Sequence, residues 1–241
     1  MSAVVIIPAR LASTRLPDKL LLAESGKPLI CHTVERALQC RHVSSVIVSA
    51  DDDRILTAVR DQPVICHYSG KQENGSERVA WTYRQLANKL NAEWFVNWQA
   101  DEPTLSPTSV DALIMACQIE MGAAAVVTLA CPASEQEATD PNTVKVVRRH
   151  DGLALYFSRS RIPYAGQALR HIGIYAFARR FFGVRRRCER SAFDGERLEQ
   201  LAWLEAGLTI GVVQLPYPDG GGIDVRADYD RFLACVDGGR T

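Results

Sequence analysis

The chain has 241 residues, 47% of them hydrophobic and 23% charged, and its 28 Lys and Arg balance 28 Asp and Glu. Those proportions exclude a disordered or collagen-like chain, and at this length roughly 70% of the unfolded surface can be buried, so a core needs no disulfide or metal staple. Zero net charge excludes a general nucleic-acid or polybasic membrane binder, but not a local basic site balanced by acids elsewhere. Ala3–Ile7 (AVVII) is continuously apolar up to Pro8, which predicts a strand buried on both faces. Pro28–Gln39 predicts a helix with Leu29, Ile30, Thr33, Val34, Ala37 and Leu38 at helical spacing. Val46–Ser49 then reads as a strand, Asp52–Val59 and Ser76–Leu90 as helices, and Trp94–Trp98 as a strand. Pro107–Glu120 follows as a helix with Pro at its start, and Ala123–Leu129 as another apolar strand. This alternation predicts right-handed βαβ units and a parallel sheet covered on both faces.

From about Asn142 the pattern becomes richer in strands. Thr143–Arg148 and Leu153–Phe157 are joined through Asp151-Gly152, a hairpin turn signal, and His171–Ala178 reads as a further strand. Glu196–Ala206 reads as a helix ended by Gly207, Leu208–Leu215 as a strand and Asp224–Val236 as a last helix. The expectation is one α/β domain over residues 1–241 with a β-rich subdomain at about 142–195. Seven cysteines, at 31, 40, 66, 117, 131, 188 and 235, form no C-x-x-C pair, which speaks against a disulfide framework or a zinc knuckle. The opening MSAVVIIPAR has no basic segment and too short an apolar run for a signal peptide, and no later stretch approaches the length of a membrane span. A cytoplasmic protein without a membrane partner is expected.

Ligands of open parallel sheets bind at the carboxyl ends of the strands, and three polar segments fall there. Residues 8–19 (PARLASTRLPDK) place Arg10, Arg15 and Lys19 in one loop with Ser13 and Thr14 between them, a supply of charge and N–H groups for polyphosphate oxygens. The loop is neither a Walker A sequence nor a GxGxxG turn. Residues 97–103 (NWQADEP) put Asp101 and Glu102 at the end of a strand, and Mg²⁺ typically takes one or two carboxylates and completes its shell with phosphate and water. Residues 220–224 (GGGID) end in Asp224, which alone is more readily a helix N-cap and gains weight as a metal ligand only beside Asp101. Asp51, Asp52 and Asp53 end a strand, where helix-start acids are the commoner role. Trp81, Trp94, Trp98 and Trp203 read as core. Arg185, Arg186, Arg187 and Arg190 read as a solvated or interface face rather than a nucleic-acid patch.

In order along the chain, IIPARLASTRLPDK, NGSER, NWQADEP, VKVV, LYFSR, RHIGIYAF, LEQL and GIDV resemble the 3-deoxy-manno-octulosonate (Kdo) cytidylyltransferases over nearly the whole sequence. The resemblance implies a nucleotide-diphospho-sugar-transferase type α/β fold, a mostly parallel central sheet flanked by helices with a β-rich insertion used for dimerisation. It implies Mg²⁺ as cofactor, CTP and an acid sugar as partners, and a homodimer that makes CMP-Kdo and pyrophosphate for lipopolysaccharide. Carried over by position, Arg10, Ser13, Arg15 and Lys19 match the CTP loop, and Ser76 and Arg78 match a second nucleotide motif. Gln99 and Asp101 match the central motif, Asp101 and Asp224 the metal ligands, and Lys19, Arg15 and Asp101 the catalytic set. Gln99, Arg159, His171, Glu196 and Gln200 match the sugar-acid positions, although a His in an apolar strand is by itself more often a core residue. The sequence departs from the family at Ala100 and Asp18, where Gly is usual, at Ala202, where Arg is usual, in a shortened Ala165–Leu169 connection, and in Ser191–Asp194, which replaces an acidic stretch. Those departures keep two alternatives open: activation of a related acid sugar (8-amino-Kdo or sialic-type), and a nucleotide-binding homologue without turnover.

Overall fold

The apolar run near the start of the chain forms β1 (Ala3–Ala9), buried at every position. It pairs in parallel with β2 (Val43–Ala50), which in turn pairs in parallel with β3 (Ile65–Tyr68). The computed structural model describes residues 3–119, 121–184 and 194–238; the arginine cluster at 185–190 and residues 191–193 lie outside them. The chain divides into two units, one formed by Ser2–Ala92, Val96–Asp111 and Gly220–Thr241, the other by Glu93–Phe95 and Ala112–Asp219.

In the first unit α1 (Leu29–Leu38) follows β1, α2 (Asp53–Val59) follows β2 and α3 (Gly75–Leu86) follows β3, and all three pack on the strands. The strand order is β3-β2-β1-β4, where β4 (Trp94–Asn97) gives this unit its last two residues. A strand covered on both faces has no reason to alternate, which is why β1 carries no polar position. β3 was not anticipated. It is four residues long and mostly exposed at the sheet edge, so neither an apolar run nor a clean alternation marks it.

Most of α4 (Pro107–Ile119) lies in the second unit, followed by β5 (Val126–Pro132), α5 (Glu135–Thr139), β6 (Lys145–Arg148), β7 (Ala154–Ser158) and β8 (Leu169–Ala178). Then come α6 (Phe181–Val184), α7 (Glu199–Glu205) and β9 (Ile210–Gln214), before α8 (Arg226–Gly238) in the first unit. Here the order is β8-β5-β9, with β9 parallel and β8 antiparallel to β5, so the parallel expectation does not extend to β8. β6 runs antiparallel to both β7 and β8, and the predicted turn is present, with Gly152 at φ 84. Tyr175, Phe177, Phe181 and Trp203 pack ring against ring in the core of this unit.

Two predicted helices are shorter than expected. The Glu196–Ala206 segment breaks because Arg197 adopts φ 52, leaving a 3-10 turn over Asp194–Glu196 and a helix that begins at Glu199. Ser76–Leu90 ends as α-helix at Leu86 and continues as a 3-10 turn. α5 was missed although Ser134 and Glu137 spell a capping box, and both reciprocal bonds are present.

Candidate functional site

A cavity of about 250 Å³ opens in the first unit where the loop after β1, the start of α3, the turn after β4 and the segment before α8 meet. The loop after β1 is polar but anchored. Leu16 is buried with Leu29, Ile223, Tyr229 and Phe232, so one apolar cluster holds both the basic loop and the residue next to Asp224. Arg10 and Arg15 remain exposed at the cavity, Ser13 is half-buried, and Lys19 turns inward with its side chain only 12% exposed. Asp18, where the family usually has Gly, takes a left-handed backbone (φ 50, ψ 28), the conformation that glycine adopts without a Cβ penalty.

Lys19 is the centre of the charge arrangement. Its Nζ donates to Asp101 Oδ2 at 2.5 Å, to the Ile223 carbonyl at 2.8 Å and to Asp224 Oδ1 at 3.0 Å. Three acceptors match the three hydrogens of an ammonium. Arg15 reaches the same Asp224 oxygen at 2.9 Å. The backbone sets this up: the Ile223 N–H donates to the Asp101 carbonyl at 2.9 Å, which locks the turn after β4 to the segment that carries Asp224. α8 begins at Arg226, and the carboxylate of Asp228, the third residue of that helix, reaches back to accept the backbone N–H groups of Asp224 and Val225 at 2.9 and 3.0 Å, while the Asp224 carboxylate is directed at Lys19 and Arg15.

The turn after β4 is held from below. Buried Thr33 donates to the Ala100 carbonyl at 2.9 Å and Trp98 Nε1 to the Glu102 carbonyl at 3.2 Å. Ala100 lines the cavity and is itself buried. The Gln99 amide donates to Asn97 Oδ1 at 3.1 Å. Across from it, Asn74 N-caps α3 by accepting from Glu77 N–H at 2.8 Å. Gly75 sits close against the Gln99 side chain: a Cβ there would lie 3.2 Å from Gln99 Oε1, so that amide would have to shift by a few tenths of an ångström. Asn74, Gly75 and Arg78 bring the first turn of α3 to the cavity wall, and the N-terminus of a helix favours anions. Ser76 is buried, and Arg78 is buried with its Nη1 on Ser69 Oγ and the Gly70 carbonyl and its Nη2 on Asp51. Burial holds the Arg78 pKa below its ordinary value, with Asp51 opposing that effect.

Arg10, Ser13, Arg15, Lys19, Arg78, Gln99, Asp101 and Asp224 thus surround one cavity, with Ser76 on the adjoining helix turn. Arg159, His171, Glu196 and Gln200 lie in the other unit. There the Glu196 carboxylate accepts from Ser158 Oγ at 2.5 Å and from the Arg159 N–H at 2.8 Å, and Arg159 Nε donates to the Glu196 carbonyl at 3.2 Å. Lys145, which sequence reasoning passed over, is fully buried and donates to the carbonyls of Asp140, Thr143 and Arg159 at 2.8, 2.6 and 2.5 Å. Its isolated position in an apolar strand was the available signal, since a buried Lys must find partners. Gln200 is buried beneath Tyr175, whose hydroxyl lies 3.4 Å from its Oε1.

His171 is an interior residue, 8% exposed, with Nε2 2.9 Å from Thr128 Oγ1 and its ring edge-on to Phe157. Burial, aided by nearby Arg170, lowers its pKa to about 3. The unfolded chain binds that proton near pH 6.5 and the folded chain does not, so this term of stability is whole above pH 6.5 and declines as the pH falls toward 3. We expect the unfolding free energy to drop by up to about 1.4 kcal/mol per pH unit in that window. His171→Gln should flatten the slope in denaturant titrations at pH 4 to 7; an unchanged slope would refute the assignment.

A pocket with clustered cations, a helix N-terminus and two converging carboxylates suits a polyphosphate accompanied by a divalent cation. The comparisons with known proteins agree with that chemistry. The cytidylyltransferase family profile matches residues 4–210. The 3-deoxy-manno-octulosonate cytidylyltransferase of Anaeromyxobacter dehalogenans (strain 2CP-C) is 43% identical over 242 residues, 98% of each chain. The protein of that name from Escherichia coli is 37% identical over 247 residues, covering 97% of this chain and 96% of its own. Among solved structures, a CMP:2-keto-3-deoxy-manno-octonic acid synthetase complexed with CTP superposes with a TM-score of 0.91 at 36% identity, covering 98% of this chain and 99% of that one. A cytidylyltransferase from Leptospira borgpetersenii, 15% identical with a TM-score of 0.65, shares the fold, covering 98% of this chain and 87% of its own.

Proposed function

The chain belongs to the cytidylyltransferase family, among its 3-deoxy-manno-octulosonate cytidylyltransferases, and from that premise we propose that it transfers CMP from CTP to Kdo, releasing pyrophosphate. The observation that carries the proposal is the meeting of Arg10, Arg15, Lys19, Arg78, Asp101 and Asp224 around one cavity. The reaction is read as a single in-line displacement, in which the anomeric hydroxyl of the sugar acid attacks the α-phosphorus. No covalent protein intermediate is needed, so the chain's part is positioning and charge neutralisation. Arg10, Arg15 and Lys19 take the negative charge that collects on the departing pyrophosphate, and Ser13, Ser76 and Gln99 hold the nucleotide. Arg159 pairs with the sugar carboxylate, to which a guanidinium offers a planar two-donor fork. Glu196 and Lys145 fix the backbone of Arg159, and His171 and Gln200 support that side from within the core.

Asp101 and Asp224 fit Mg²⁺. They are hard oxygen donors from separate segments and already converge on one cation, the Lys19 ammonium, and one or two carboxylates are the usual protein share of a Mg²⁺-phosphate site. When bound there, the ion neutralises phosphate charge and lowers the pKa of a coordinated hydroxyl. We also read the protein as a cytoplasmic homodimer serving lipopolysaccharide synthesis. The family resemblance supports this, and among the described residues no helix is long and apolar enough to cross a membrane.

The test is pyrophosphate release from CTP across a panel of Kdo, 8-amino-Kdo and N-acetylneuraminate. Kdo is expected to be turned over at least tenfold more efficiently than the other two. CTP binding without release on any acid would overturn the proposal in favour of a nucleotide-binding homologue without turnover.

A further inference from the structure

The three acids at the end of β2 have separate tasks. Asp52 caps α2, accepting from the Arg54 N–H at 2.9 Å, and Asp53 is an exposed first residue of that helix. Asp51 faces the other way. Its Oδ1 accepts the backbone N–H of Leu11 at 3.0 Å, and its Oδ2 accepts from Arg78 Nη2 at 3.0 Å. Those partners belong to two different walls of the cavity, the loop that carries Arg10 to Lys19 and the first turn of α3. The Arg78 side chain is 3% exposed and its Nη1 is spent on Ser69 and Gly70, so Asp51 supplies the negative charge that a buried guanidinium requires. Arg10 stands close enough to repel Arg78, so two guanidinium groups share this end of the site.

We propose that Asp51 is a positioning residue for CTP: its carboxylate ties the main chain of the basic loop to buried Arg78 and lets both cations stand at one anion site before the nucleotide arrives. The proposal rests on the CTP reading above. Asp51 touches neither Asp101 nor Lys19 among the described contacts, so its effect falls on nucleotide affinity rather than on the chemical step.

Asp51→Asn keeps the size and one acceptor oxygen but removes the charge and turns an amide toward the guanidinium. Calorimetric Kd and steady-state KM for CTP are expected to rise tenfold or more, with kcat at saturating CTP and KM for Kdo within threefold of wild type. A merely structural role would lower the unfolding midpoint and the active fraction while leaving KM for CTP unchanged, and that result would overturn the proposal. Asp51→Glu serves if the Asn variant does not fold. It keeps the charge on a longer arm that cannot hold both partners, so KM for CTP should still rise at least threefold, and an unchanged value again overturns the proposal. A wild-type chain that binds no CTP would overturn the underlying functional reading instead, whereas a wild type that binds CTP beside unaffected variants would reject Asp51 alone.

Discussion

Asp101→Asn is expected to lower Kdo-dependent pyrophosphate release from CTP by about a thousandfold while leaving the fold intact. A single preorganised electrostatic contact to developing charge is commonly worth about 10²–10³ in kcat, and Asp101 is also half of the carboxylate pair proposed to hold Mg²⁺. The fold should survive because the turn is held by backbone and neighbours. The Asp101 carbonyl accepts from Ile223 N–H, Thr33 holds the Ala100 carbonyl, and Trp98 holds that of Glu102. An amide oxygen at position 101 can still accept from Lys19. Activity would be followed by coupled pyrophosphate detection and the fold by circular dichroism. Turnover near the wild-type rate in the presence of Mg²⁺ would remove Asp101 from the mechanism.

Lys19→Met should be nearly as damaging to activity, with a loss of about a hundredfold in kcat from the missing charge on the pyrophosphate side. It differs from the first variant in its effect on stability. The ammonium bonds two carboxylates and a carbonyl at once, and without it Asp101 and Asp224 face each other without their shared cation. Removing one partner of a shielded ion pair costs more than the pair contributes. Because Asp224 is 47% exposed, solvent screening reduces that cost to about 2 kcal/mol. Mg²⁺ should then stabilise the Met variant more than the wild type, since the two carboxylates have lost the ammonium they share and Arg15 remains on Asp224 only. Thermal unfolding with and without Mg²⁺ reads this directly; equal Mg²⁺ shifts in the two proteins would show that the carboxylates do not form a common cation site.

Much of the first unit could be read from local pattern. β1 is a run of apolar residues, α1 carries a helical stripe, and the basic loop stands where a parallel strand ends. Less was readable where the cue is short or shared. β3 has four residues at an edge, and the break before α7 depends on one backbone angle at Arg197. His171 shows how motif and burial pull apart. Its place in RHIGIYAF marks it for the sugar acid, whereas its side chain is enclosed by Thr128, Phe157 and Tyr175. Asp224 differs in the opposite direction: read alone it resembles a helix cap, yet its backbone N–H is held by Asp228 and its carboxylate faces the cations.

The sequence by itself determined the α/β class, the strand-end position of the basic loop and of NWQADEP, and the family, because periodicity and contiguous motifs are local properties of a chain. Tertiary structure alone decided that Lys19 would sit between Asp101, 82 residues away, and Asp224, 205 residues away. It also decided that Asp51 would join Leu11 to Arg78, and that Thr33 would turn its hydroxyl from an apolar-looking stripe to the Ala100 carbonyl. These contacts follow from packing. Burying Leu16 and Ile223 in one cluster with Tyr229 and Phe232 brings the charged residues beside them into range, and no spacing along the chain encodes that distance.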